Sequence, residues 1–395
     1  MYPRIFLAID NCFASKRYTR PVDWMCITRD MGVYQIEASA DTECDPLYMG
    51  PEYMARWRAE VARVADETGQ TVRNLYSGHG TYATLGLMHT DAGARMFFRD
   101  NWIKRQAALA GELGAGFGFF AHGVDMSVLN DAQEYRAAYE RLVDDLSDVA
   151  ASGLAAGARE IGLEQMYSPH QIPFTVPGAQ RLVADVYAVR RAPMYLTIDV
   201  GHMNGQRRFI MPDSNQVAGA IEAARRGEPT QIYLGPDVAY CAFERAVNSE
   251  DGALSEAERI CDVMDAYPHM FAEYSDGSVE HWLSELGAYA PIVHLQQSDG
   301  KSSPHWNFTR LRNANGIINA PNVLRALKAA YDAPEQPDMP PRVSEIALTL
   351  EPFISTAADV HADLKEIAES VEYWRGFVPK DGMTLDEICA QLNAV

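Results

Sequence analysis

The sequence predicts a (β/α)8 barrel, of class α/β, with a long insertion after its sixth strand. Three observations lead there. Eight short apolar runs recur along the chain, amphipathic stretches separate most of them, and one separation far exceeds a loop and a helix. The runs are RIFLAI (4–9), VYQIEAS (33–39), TVRNLYS (71–77), GFGFFAH (116–122), EIGLEQM (160–166), MYLTIDV (194–200), PIVHLQQ (291–297) and EIALTLE (345–351). Between them, PEYMARWRAEVARVADETG (51–69) and EYRAAYERLVDDLSDVAASG (134–153) carry apolar residues at helical spacing and end in glycine. Eight units favour closure into a barrel over an open sheet. AIDNCFAS (8–15) stands where a dinucleotide-binding domain would place its glycine-rich turn.

The separation after TIDVGH (197–202) at the end of the sixth run spans residues 203–290, whereas a simple connection needs about a third of that. The reading is one barrel domain over 1–375, with an insertion at about 204–252 on the barrel mouth. ALSEAERICDVMDAY (253–267) then supplies the expected helix, and 376–395 form a short helical tail. The insertion reads as a cover for the mouth or as an arm between subunits, and a homo-oligomer is expected.

Composition narrows the function. Of the 395 residues, 47% are hydrophobic and 22% charged, as in ordinary globular proteins, and the net charge is −20. Such an acidic surface repels phosphate backbones and anionic lipid, so neither nucleic acid nor membrane is an expected partner. The opening MYPRIFLAIDN lacks the pattern of a signal peptide, and no run of about 18 apolar residues occurs. The six cysteines include no C-x-x-C pair; reduced thiols in a cytoplasm are the expectation.

In such a barrel the chemistry gathers at the carboxyl ends of the strands. There the sequence places Glu164, then Asp199 with His202, then His294, then Glu351; earlier strands add Glu37, His79 and His122. An isolated acid after a strand is often a helix cap, and an isolated histidine is often structural. Four successive strand ends bearing acids or imidazoles are harder to explain so. Carboxylates held that close must share a cation or protons. Oxygen-rich ligation with one nitrogen suits Mn²⁺, Co²⁺, Mg²⁺ or Zn²⁺.

Glu at the fifth strand, D-x-x-H at the sixth, His in the seventh and Glu after the eighth resemble the xylose-isomerase-like TIM-barrel superfamily. That group includes ketose 3-epimerases, sugar and sugar-phosphate isomerases and, more distantly, endonuclease IV. The resemblance implies one divalent metal on Glu164, Asp199, His294 and Glu351. It also implies that Glu164 and Glu351 exchange protons with a substrate carbon, and that His202 meets a substrate oxygen. His79, His122, His170, His305, Trp306 and Arg207 complete the expected substrate contacts around a small carbohydrate. Two positions depart from the pattern: Gln297 and His170 stand where members often carry acids, both on the substrate side. Ser303 before His305 replaces the aspartate that endonuclease IV uses for further zinc ions.

The expected activity is therefore a metal-dependent isomerase or epimerase of a C4–C6 aldose or ketose, working through an enediolate. A lyase or decarboxylase on the same scaffold, a sugar-phosphate isomerase and a non-catalytic sugar-binding barrel are the alternatives.

Overall fold

The computed structural model describes residues 1–78, 86–355 and 357–392, without the side chains of Asp41 and Thr42. Each of the eight apolar runs contains a strand: β1 (Arg4–Asp10), β2 (Gln35–Ser39), β3 (Thr71–Ser77), β4 (Gly116–Phe119), β5 (Ile161–Glu164), β6 (Tyr195–Asp199), β7 (Ile292–Leu295) and β8 (Glu345–Leu350). All neighbours pair parallel, and β1 pairs with both β8 and β2, which closes the barrel. The near-continuous apolar character of these strands follows from burial on both faces, with helices outside and side chains filling the interior.

The two-residue period of a strand sets which side chains face inward. Ala8, Ile292 and Ala347, from three neighbouring strands, pack into one small interior cluster. Two residues further along lie Asp10, His294 and Thr349, and Glu351 follows Thr349 by the same step. The apolar lower layer and the polar upper layer are thus one alternation read along each strand. At the opposite end of the barrel, Arg73 is buried; it donates to Glu345 at 2.6 Å and lies 3.8 Å from Glu160.

The separation between β6 and β7 folds into several helices. Ser214–Arg225, Asp237–Val247 and Ala253–Met264 pack on one another. The helix that joins the barrel's outer ring is Val279–Leu286, which packs against β6 and the helix Ala320–Asp332. Ala253–Met264, expected in that role, instead buries Ala257, Ile260 and Met264 within the inserted group. Amphipathic spacing marks a buried face but not the surface that covers it. The tail contributes β9 (Met383–Thr384), antiparallel to β1, before the helix Leu385–Leu392.

Candidate metal centre

The four expected ligands converge at the carboxyl ends of their strands. Asp199 is the register partner of His294, and the Glu351 N–H donates to the Leu295 carbonyl. His294 is fully buried, and its Nδ1 lies 3.4 Å from Glu164 Oε1 and 3.5 Å from Glu351 Oε2. One ligand atom each from Asp199, His294 and Glu351 lies within 4.8 Å of the others, and the same holds for Glu164, Asp199 and His202. Two buried atoms at the centre, His294 Nδ1 and Glu351 Oε2, have no hydrogen-bond partner among the described residues. Buried polar atoms without partners are costly. A divalent cation would satisfy both, so the donor set fits one.

A second layer orients these residues. His294 Nε2 bonds Glu37 Oε1 at 2.7 Å, and the other Glu37 oxygen accepts from Asn74 Nδ2 at 2.6 Å. That fixes the ring with Nδ1 toward the other ligands, the usual arrangement of a metal-binding histidine. Gln296 Nε2 donates to both Asp199 oxygens at 2.8 Å, and the Gly201 N–H donates to Oδ1 at 2.6 Å. Tyr76 donates its hydroxyl to Glu164. Burial, reinforced by Glu164 and Glu351, pushes that phenol well above its ordinary range, so it remains a donor.

The electrostatics describe a cluster with surplus negative charge. Burial pulls His294 down, but Glu37 and Glu351 outweigh it and hold the imidazole well above its usual range. Burial drives Asp10 well up, with Glu37 and Glu351 adding to the effect. It also raises Glu351 against the pull of His294 and His305. For Asp199 the balance reverses: burial opposes ionisation, yet His202, His305 and His294 keep the carboxyl below its ordinary value. A cation entering this cluster displaces protons from it.

The centre opens into a cavity of about 650 Å³, which Glu164, Glu351, His202 and His305 line, a size suited to a small ligand. His202 Nδ1 contacts the Gln165 carbonyl at 2.8 Å and Nε2 lies 3.4 Å from Asp199 Oδ2, close enough to be a further donor. His305 stacks on Phe353 at 4.0 Å and sits 3.2 Å from Glu351.

Other expected contacts are not brought to this cavity. His122 adopts a positive φ of 64° and stacks on Phe120, with Phe98 edge-on, so its ring belongs to an aromatic cluster. His170 ties two loops together through the Val124 carbonyl at 2.9 Å. Arg207 donates twice to the Gly277 carbonyl and lines a separate cleft. Trp306 pairs its backbone with Gln297 and lies under the Arg312 guanidinium. Gln297 itself bonds Asn313 and Ile318 and holds its own loop. His79 lies outside the described residues. The sequence reading missed Asp10, Ser39 and Tyr76, which line the cavity.

The model of a known family, the xylose isomerase-like TIM barrel, matches residues 27–233, more than half of the chain. The chain belongs to the xylose isomerase-like TIM-barrel family. Solved structures share the family fold. One is a Rhodospirillum rubrum protein provisionally named a xylose isomerase, with 16% identity, 94% of this chain and 99% of that one covered, and a TM-score of 0.66. An L-ribulose 3-epimerase aligns at 16% identity over 99% and 97% of the two chains, TM-score 0.56. A Clostridium cellulolyticum D-psicose 3-epimerase with D-tagatose aligns at 14% identity over 94% and 98%, TM-score 0.53. No curated protein matches the sequence significantly. Among the described residues, no helix is long and apolar enough to cross a membrane.

Proposed function

We propose that the protein is a divalent-metal-dependent isomerase or epimerase of a C4–C6 aldose or ketose. One observation carries the reading: two cavity-lining glutamates, Glu164 and Glu351, flank a buried histidine whose free nitrogen faces both. Family membership and the sugar epimerases among its structural neighbours agree with it.

Glu164, Asp199, His294 and Glu351 would hold the cation, with His202 as the nearest additional donor. A bound divalent ion supplies Lewis-acid polarisation of a carbonyl and its neighbouring hydroxyl. The chain's own groups supply the proton chemistry. One glutamate takes the proton from the carbon beside the carbonyl, and the other returns it. Return on the opposite face of that carbon gives an epimer, and return to the adjacent carbon gives an aldose–ketose isomer. Tyr76 orients Glu164 throughout, and His202 positions a substrate oxygen.

The test is hydrogen exchange. Incubated in D2O with Mn²⁺ and a panel of C4–C6 aldoses and ketoses, the protein should place one deuterium on a carbon of its substrate and convert it to an isomer of otherwise equal mass. A product that has lost mass would assign a lyase or decarboxylase instead. Absence of exchange across the panel would refute the reading.

A further inference from the structure

A second cavity, of about 640 Å³, lies between the helices Ala132–Ala155 and Val176–Arg190 and the segment 265–271 that follows the inserted helices. It shares no lining residue with the catalytic cavity. Ile172, Pro173, Phe174, Leu182 and Phe271, all buried, give it an apolar lining. Apolar space of that size, edged by a few polar groups, suits a small organic ligand.

Most polar groups on this lining are already engaged. His269 stacks on Tyr135 at 3.9 Å and meets the Leu129 carbonyl through Nε2 at 2.8 Å. Burial holds its imidazole below the ordinary range, so it adds no charge at neutral pH. Arg181 lies over the Tyr139 ring at 5.1 Å and against Asp185 at 3.4 Å. Thr175 caps its helix by accepting from the Gly178 N–H at 3.1 Å. Arg136 differs: it is exposed, and among the described residues it makes no ion pair, even with Glu140 one turn on. The acids before it are committed, Asp131 to the first N–H groups of the helix and Glu134 to Arg141 at 2.7 Å. Asp265, the one acid in the lining, pairs with neither arginine. The two arginines therefore leave the cavity net positive, on a chain with 54 acidic and 34 basic residues. A guanidinium without a partner, set over apolar space, matches the fork of a carboxylate. We propose that this cavity is a second ligand site, for a small carboxylate with an apolar body, and that Arg136 receives the carboxylate.

Calorimetry on the Mn²⁺-loaded protein with indole-3-acetate, 4-phenylbutyrate and hexanoate, each beside its neutral amide, tests this. At least one carboxylate should bind about fivefold more tightly than its amide, the scale of a partly exposed ion pair. Arg136→Gln changes an exposed side chain without an ion pair, so the variant should fold and bind Mn²⁺ as the native protein does. It should bind that carboxylate no better than the amide, and the amide as before. Native carboxylates bound no more tightly than their amides would overturn the proposal. So would a preference that persists in Arg136→Gln, because the carboxylate would then sit on the metal or elsewhere. Absence of binding by all three carboxylates would overturn it as well.

Discussion

Replacing Gly201 by alanine should disable the metal centre without removing a ligand. A Cβ at Gly201 would lie 2.2 Å from Gln296 Cδ, 2.4 Å from its Oε1 and 2.5 Å from its Nε2. Gln296 is fully buried, so its amide has no free space to enter. Its Nε2 holds both Asp199 oxygens at 2.8 Å, while Oε1 accepts from the His305 N–H at 2.9 Å and from the Ser303 hydroxyl at 3.1 Å. Overpacking of this kind costs about 1–3 kcal/mol. Displacing the amide also removes a hydrogen bond to a charged carboxylate, worth about 1.5–3 kcal/mol. A stability loss of about 3 kcal/mol therefore accompanies a fall of about 10–100-fold in metal affinity, the usual scale for groups that orient a ligand. Urea unfolding and Mn²⁺ calorimetry on the native and variant proteins measure the two effects. Native stability together with native Mn²⁺ affinity would refute the assignment of Gln296 as the support of Asp199.

Glu164→Gln and Glu351→Gln, assayed at saturating metal, should each lower kcat by about 10²–10⁴; near-native turnover in either would remove its proton-transfer role. His202→Ala should raise KM more than it lowers kcat, as expected of a positioning group, and the reverse pattern would assign it to the chemistry or the metal. Away from the site, burial pushes Glu43 to about 6 despite donation from Trp57 and Trp24. A folded-state pKa above the ordinary 4.5 gives stability that is full below pH 4.5 and lost as pH rises through about 6. A rise from 4.5 to about 6 corresponds to about 2 kcal/mol. Glu43→Gln lacks this loss, so its stability relative to the native protein should rise by about that amount between pH 4.5 and 7.5. A pH-independent difference in urea unfolding would contradict the reading.

All eight strands were legible because each has an apolar composition and most are followed by an amphipathic stretch. The candidate ligands were legible because they sit where those strands stop. What single-strand reading could not supply was partnership across the barrel. Glu37 and His294 are far apart in sequence yet share a hydrogen bond, and no local pattern encodes it. Asp10 did carry a signal: it stands two residues after Ala8 on the inward side of β1, the same step that separates Ile292 from His294. His122 and Arg207 show the limit of such reading. Both follow a strand in sequence, but His122, at a positive φ, joins an aromatic cluster, and the Gly277 carbonyl holds Arg207. Nearness to a strand end places a backbone, not a side chain.

The central claim is that four residues from successive strands hold one divalent ion, and anomalous diffraction from crystals soaked in Mn²⁺ tests it most directly. The account predicts a single manganese peak at the barrel mouth, with atoms of Glu164, Asp199, His294 and Glu351 within roughly 2.0–2.6 Å. An empty mouth at saturating Mn²⁺, or an ion bound elsewhere while these four side chains stay unliganded, would contradict it.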